Sequence, residues 1–197
     1  MSDRTHHRPM TPGAGFFAEI AGGADPAMLR EAGDLAATVL VRGARSSDDP
    51  ALAERIVHLA ETEGLETLAE VWSGAPADTL AGSLWRLFLL RSWVHADPEQ
   101  VAKEYDAGQR RVDVARVVAG VADPPGPEEL RAMVDQVLRG IAGGDFAVTL
   151  FRAAAFARIV AAGRAALGAP HEEITRILVV SEQLEAAGQG EMRDALG

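Results

Sequence analysis

The spacing of apolar residues along this chain predicts an all-α protein. Between one break and the next, apolar side chains recur every three or four positions, which is the period of one face of a helix. In Glu128–Ile141 the stripe is formed by Leu130, Met133, Val134, Val137, Leu138 and Ile141. Glycine, proline and Asp-Pro pairs interrupt the pattern where helices end and begin, so we expect a bundle of about eight or nine helices.

The predicted helices follow one another through most of the chain. In order they are Pro26–Arg42, Pro50–Gly64, Leu65–Trp72, Thr79–His95, Pro98–Ala107, Val112–Val121, Glu128–Ile141, Phe146–Leu167 and Pro170–Ala187. The valine-rich segment Val112–Val121 is also typical of a strand, but a lone strand lacks a partner, which favours a helix. The residues from Gln189 onward are expected to fray.

Two of these helices, Thr79–His95 and Phe146–Leu167, are expected to be the buried centre of the bundle. Both are apolar on nearly all sides, and a helix of this kind is normally covered by several neighbours. Thr79–His95 holds two of the three tryptophans. It is shorter than the roughly 20 residues needed to cross a bilayer, and Arg86 and Arg91 interrupt it. It is therefore predicted to be a core helix.

The remaining patterns concern domain organisation. Residues 1–15 are expected to form a disordered arm, because histidine, proline and glycine leave them little apolar content. Residues 16–197 are long enough to form a single all-α domain with its own core. The clearest internal break is DPPGP at 123–127, where the prolines prevent a helix or a sheet from passing through. This segment is a candidate boundary between two lobes.

Composition narrows the classes of partner and compartment. The chain has no cysteine, which excludes disulfides and thiolate chemistry and fits a reducing compartment. Its formal net charge of −10 argues against non-specific binding to nucleic acid or to an anionic membrane, because both favour a basic surface. The N-terminus shows no signal-peptide pattern, so the expected location is the cytoplasm.

Arg91 is the exceptional residue of the predicted Thr79–His95 helix, since it falls in an apolar face beside Leu84 and Leu87. A guanidinium there needs a carboxylate partner or must extend to solvent, because an unpaired buried charge costs several kcal/mol. Two interpretations remain open. Arg91 either forms a structural ion pair or binds an anionic ligand in an internal pocket lined by Trp85 and Trp93. The tryptophans are also typical of an ordinary core.

No catalytic or metal site is assembled in the sequence. Glu54, His58 and Glu61 share one helix face, but that face lies opposite the apolar stripe, whereas metal-binding bundles direct their ligands inward. His95 lies near Asp97 without an assignable hydroxyl nucleophile. The glycine-rich segments lack the lysine of a phosphate-binding loop. We therefore predict no catalytic residue, no metal and no cofactor.

A DNA-binding function has one candidate segment, Arg55–Ser73, whose two short helices separated by Gly64 are similar to a helix-turn-helix. Its second helix, Leu65–Trp72, carries two glutamates and no basic residue. Because acidic side chains repel phosphates, nucleic-acid binding is not favoured.

Two stretches, LWRLFLLR at Leu84–Arg91 and VAGVADPPGPEELR at Val118–Arg131, resemble an uncharacterised all-helical family of GC-rich bacteria. The resemblance extends over most of the chain after Gly22 and implies a helical fold, but no activity and no site residue. The expected function is a non-enzymatic interaction or regulatory protein, which binds a protein partner or a second copy of itself through an exposed apolar helix face. The alternatives are a protein or enzyme that binds an anionic ligand near Arg91, and a DNA-binding regulator.

Overall fold

The computed structural model describes residues 26–42, 65–111, 125–138 and 146–195, and within these residues the chain is helical with no strand. This confirms the all-α class. The described helices are α1 (Pro26–Arg42), α2 (Leu65–Trp72), α3 (Leu80–Ala96), α4 (Pro98–Gln109), α5 (Pro127–Leu138), α6 (Phe146–Ala166) and α7 (His171–Ala195).

Local sequence determines where α3 and α4 begin. Thr79 Oγ1 accepts a hydrogen bond of 3.0 Å from the backbone N–H of Gly82, and Asp97 Oδ1 accepts one of 3.1 Å from the N–H of Gln100. These side chains satisfy backbone donors that the first turn of a helix leaves free. Pro98, which has no N–H to satisfy, occupies the first position of α4.

Helix α7 extends further than the sequence pattern indicates. The predicted end at Ala187 and the fraying from Gln189 are wrong, because α7 continues to Ala195. Glycine inside a helix costs up to about 1 kcal/mol relative to alanine. Here Gly188 is buried against Phe151, whose ring lies 3.1 Å from the position of an added Cβ. Packing against α6 therefore sustains the helix where local propensity would end it.

The core surrounds α6, which packs mainly on α7 and α4. Small side chains let these helices approach closely, and the fully buried residues of α6 include Ala153, Ala154, Ala155, Phe156, Ala157, Ile159 and Val160. By length and composition alone α6 could cross a membrane, but 67% of its apolar 18-residue window is buried inside the protein. The core helix of a soluble protein has the same properties.

Helix α3 lies beside this core and buries one of its sides. Leu84 and Leu87 are fully buried, whereas Leu89 points away from them and is 39% exposed. Trp85 and Trp93 are half-buried. In the described part of the structure, α3 is therefore covered less completely than α6.

Some predicted segments lie outside the described residues. They are the arm at 1–15 and the helices Pro50–Gly64, which holds Glu54, His58 and Glu61, and Val112–Val121. Of the DPPGP segment at 123–127, the last three residues are described, and Pro127 is the first residue of α5. The count of eight or nine helices, the arm and the lobe boundary stay predictions.

Candidate functional site

Arg91 has a carboxylate partner on a neighbouring helix. From α3, its Nε–H donates to the carboxylate of Asp135 on α5. The two side chains are 17% and 23% exposed, so the pair is partly shielded from water. The guanidinium that the sequence places in an apolar face is thus compensated by an opposite charge, as the ion-pair interpretation requires.

The two candidate tryptophans contact other groups. Trp85 stacks on Phe88 of the same helix, with ring centroids 5.8 Å apart. Trp93 lies under the guanidinium of Arg164 on α6, whose central carbon is 4.9 Å from the ring centroid. The face of an aromatic ring attracts a cation in this position. Arg91, Trp85 and Trp93 therefore engage different neighbours, and none of them is among the residues that line a cavity of about 640 Å³ found between α3 and α7.

Arg164 also connects α6 to two acidic side chains. Its Nε–H donates to Glu104 Oε2 on α4 over 2.8 Å, and its Nη1 lies 3.5 Å from Glu173 on α7. Glu104 is 4% exposed, and its Oε1 accepts a hydrogen bond of 2.9 Å from the amide of Gln100. Both oxygens of the buried Glu104 carboxylate are bonded, and the cluster joins three helices.

The cavity of about 640 Å³ lies where the end of α1, the starts of α3 and α6, and the C-terminal half of α7 meet. No pattern in the sequence predicts this cavity. Its walls come from four helices, and the period of a single helix carries no information about a space between several of them. Two of its lining residues, Ala186 and Gly190, have side chains too small to indicate a site.

The cavity combines an apolar wall with charged groups. The apolar wall is formed by Leu80, Phe146, Leu150, Ala186 and Ala187. The charged groups are Arg42, Asp78, Glu182, Glu191 and Arg193. An apolar surface with a few placed polar groups is the usual composition of a small-molecule site.

An ion pair ties the end of α1 to this cavity. The two terminal nitrogens of Arg42 donate to the two carboxylate oxygens of Glu191, and the Nη2–Oε2 distance is 2.7 Å. Glu191 is 8% exposed. A two-pronged pair of this kind is strong and geometrically fixed, so it forms a rigid part of the cavity wall.

Arg86 of α3 holds the amide of Gln183 at the cavity. Its Nε–H donates to Gln183 Oε1 over 2.6 Å, and its Nη1–H donates to the carbonyl of Gly82 over 2.7 Å. Burial lowers the pKa of Arg86, and the charge of Asp78 opposes this effect by raising it. Because Arg86 occupies the amide oxygen, Gln183 presents its NH₂ group to other contacts.

The cavity also contains two hydroxyl groups, from Thr79 and Ser83. Its two hydroxyl groups donate to backbone carbonyls, from Ser83 to Thr79 over 2.8 Å and from Thr79 to Pro76 over 2.9 Å. Within the described residues, no group of three His, Cys, Asp or Glu side chains could hold a metal ion. What the arrangement offers a ligand is charge pairing and apolar contact.

Comparisons with family models, with curated proteins and with solved structures find no match to this chain. A helical architecture by itself does not define a function, since one fold serves many. The charges, exposures and contacts of the described helices are therefore the basis for assigning a function.

Proposed function

We propose that the protein is a non-enzymatic interaction or regulatory protein of the cytoplasm, and that it associates with a second copy of itself through the N-terminal half of α7. The observation that carries this proposal is a change of burial along α7. From His171 to Val180 every residue is exposed or half-buried, although five of these ten residues are apolar. After Val180, one side of the helix is buried in the core at helical spacing, at Ser181, Leu184, Gly188 and Glu191.

The outer side of this half-helix forms a shallow groove, which we call the α7 face. It is lined by His171, Glu172, Thr175, Arg176, Val179 and Val180. Val179 is 42% exposed, whereas Ile177 and Val180 pack against the core and anchor the helix. A partly exposed apolar surface with a polar rim is typical of a protein-binding site.

A second copy suits the α7 face because the charges of this face are self-complementary. Glu172 and Arg176 form an ion pair whose side chains are 76% and 73% exposed. When two α7 helices lie antiparallel, a twofold axis that passes between these residues places Arg176 of one copy opposite Glu172 of the other. Each copy then supplies both halves of the contact, as a twofold-symmetric interface requires.

The first experiment compares two valines of similar exposure. Val179→Glu introduces a charge into the α7 face, whereas Val148→Glu introduces the same charge on α6, where Val148 is 49% exposed. We expect the molar mass of the unaltered protein, measured by light scattering during size-exclusion chromatography, to rise with concentration towards that of a dimer. Val179→Glu should stay monomeric, and Val148→Glu should behave like the unaltered protein.

Charge reversal provides the second arm of the test. Glu172→Arg or Arg176→Glu alone places like charges across the twofold axis and should weaken association. The double variant restores opposite charges and should recover it, since electrostatic complementarity determines which surfaces pair. The proposal fails if the unaltered protein is monomeric at every concentration, or if the valine variants at 148 and 179 behave alike.

We also propose three properties that the sequence predicts. They are a bundle of eight or nine helices around two buried central helices, a cytoplasmic location, and membership of the uncharacterised all-helical family of GC-rich bacteria. The burial of α6 supports the first of these. A DNA-binding regulator is the less favoured alternative, because Glu70 is exposed on α2 while Trp72 is buried. It predicts binding to duplex DNA that weakens steeply with salt.

A further inference from the structure

We infer that the cavity between α3 and α7 binds a small zwitterion with an apolar body, which is the chemistry of a free apolar amino acid or of a short apolar peptide. The cavity shares no lining residue with the α7 face, so the inference does not depend on self-association. Its volume of about 640 Å³ falls in the range of roughly 300–1,000 Å³ found for small-molecule sites.

Two exposed groups of opposite charge line the cavity. Arg86 of α3 bonds to Gln183 of α7, and the cavity extends from this contact towards the N-terminus of α3 and the C-terminus of α7. Asp78, just before α3, and Arg193, near the end of α7, both line it, and the charge of Asp78 acts on Arg86. Glu182, beside Gln183, lies roughly 16 Å from Arg193 along the helix axis at 1.5 Å per residue.

Asp78 and Arg193 are exposed, and the charge of Asp78 also acts on the guanidinium of Arg86. Among the residues that the structure describes, neither forms a salt bridge, whereas Arg42 is occupied by Glu191. A carboxylate accepts hydrogen bonds from an ammonium group, and a guanidinium binds a carboxylate through two parallel hydrogen bonds. Asp78 and Arg193 thus match the two charged groups of a zwitterion, and the apolar wall matches its side chain.

The same charges disfavour other classes of ligand. The lining has three carboxylates, from Asp78, Glu182 and Glu191, and two guanidinium groups, from Arg42 and Arg193, while Arg86 lies beside it on Gln183. Among the described residues of the lining, a multiply charged anion such as a nucleotide would find a single guanidinium without a carboxylate partner, that of Arg193, because Arg42 is bonded to Glu191. A wholly apolar molecule would remove water from charged groups without replacing their hydrogen bonds, which is costly.

Calorimetric titration of the full chain tests the ligand class. The probes are leucine and the tripeptide Ala-Leu-Ala, together with N-acetyl-leucine, which lacks the ammonium group, and leucinamide, which lacks the carboxylate. We expect leucine or Ala-Leu-Ala, or both, to bind. N-acetyl-leucine and leucinamide, which each lack one of the two charges, should bind at least about tenfold more weakly than leucine, because a charged hydrogen bond is lost. Tighter binding of leucine indicates a free amino acid, and tighter binding of the tripeptide indicates a peptide.

Substitutions at Gly190 test the location of the site. A Cβ added at Gly190 meets no atom within 4 Å, so a side chain there enters the cavity without a clash at Cβ. Gly190→Phe should fill the space and abolish binding, whereas Gly190→Ala should retain it. Circular dichroism shows whether both variants keep the helical fold.

Substitutions of the charged groups identify the contacts. Arg193→Gln and Asp78→Asn should each weaken binding by about tenfold, while Arg110→Gln on the exposed end of α4 should leave it unchanged. Arg193 and Asp78 are both exposed, so these variants are expected to fold. Absence of binding by both leucine and Ala-Leu-Ala overturns the inference. Binding that survives Gly190→Phe overturns it as well. So does binding of N-acetyl-leucine and leucinamide that is as tight as that of leucine.

Discussion

Gly108 of α4 and Gly163 of α6 face each other where these two helices cross. A Cβ at Gly108 would lie 1.9 Å from the carbonyl oxygen of Ile159, and a Cβ at Gly163 would lie 1.7 Å from the carbonyl oxygen of Glu104. Both neighbours are backbone atoms, which cannot rotate away as the end of a side chain can. The absence of two side chains therefore sets the distance between α4 and α6.

Gly163→Ala should lower the free energy of unfolding by about 3 kcal/mol, the upper part of the usual range for overpacking a core, because the two helices must separate. Gly190→Ala is the matched control, since its Cβ meets no atom within 4 Å. It should raise the free energy of unfolding by about 0.5–1 kcal/mol through helix propensity. Urea denaturation followed by circular dichroism measures both. Effects of the same sign would show that the close approach does not determine stability.

The sequence indicates part of this relationship. Alanines at helical spacing in α6 predict that a neighbouring helix approaches closely, and the alanines from Ala153 to Ala157 are fully buried. The identity of that neighbour is not visible, because the apolar period of α6 is the same whichever helix covers it. Gly108 in particular has no local role in the pattern of α4, and the close approach of the α6 backbone at Ile159 and Gly163 explains it.

The ion pair between Arg91 and Asp135 should have a coupling free energy of about 1–2 kcal/mol. This value lies between those of exposed and of fully buried pairs, since the two side chains are 17% and 23% exposed. The measurement is a double-mutant cycle with Arg91→Met and Asp135→Asn, using the free energy of unfolding. The losses of stability in the two single variants should add up to more than the loss in the double variant, and the difference is the coupling. Zero coupling would contradict a structural role for the pair.

The alternative interpretation of Arg91 makes a different prediction. If Arg91 binds an anionic ligand, at least one compound in a screen of acidic metabolites should raise the melting temperature of the unaltered protein. The same compound should not raise the melting temperature of Arg91→Met. We expect no difference that depends on Arg91, because Asp135 already compensates its charge. The sequence predicted that Arg91 either has a carboxylate partner or extends to solvent. It could not select Asp135 among 29 acidic residues, because their distances from Arg91 depend on how α3 packs on α5.

Trp72 should contribute more to stability than Trp85. Trp72 is 1% exposed, and its indole N–H donates to the carbonyl of Gly33 on α1 over 3.0 Å. Trp72→Phe loses this bond and leaves space in the core, so it should cost about 1–3 kcal/mol. Trp85→Phe, at a half-buried position, should cost less than about 1 kcal/mol. In fluorescence, Trp72→Phe removes the most buried emitter and should shift the folded spectrum to longer wavelength.

The ion pairs of this protein should differ in their response to salt according to their exposure. Arg164 and Glu104 are 14% and 5% exposed, whereas Arg131 and Glu128, one turn apart on α5, are 27% and 80% exposed. Screening acts over about 10 Å at 0.1 M salt and about 3 Å at 1 M, but only where ions and water reach the charges.

Double-mutant cycles in urea should give a coupling above about 2 kcal/mol for Arg164–Glu104, little changed by sodium chloride. For Arg131–Glu128 the coupling should be about 0.5 kcal/mol or less and should decrease as salt is added. An equal loss of coupling for both pairs would mean that solvent reaches the junction of α4 and α6.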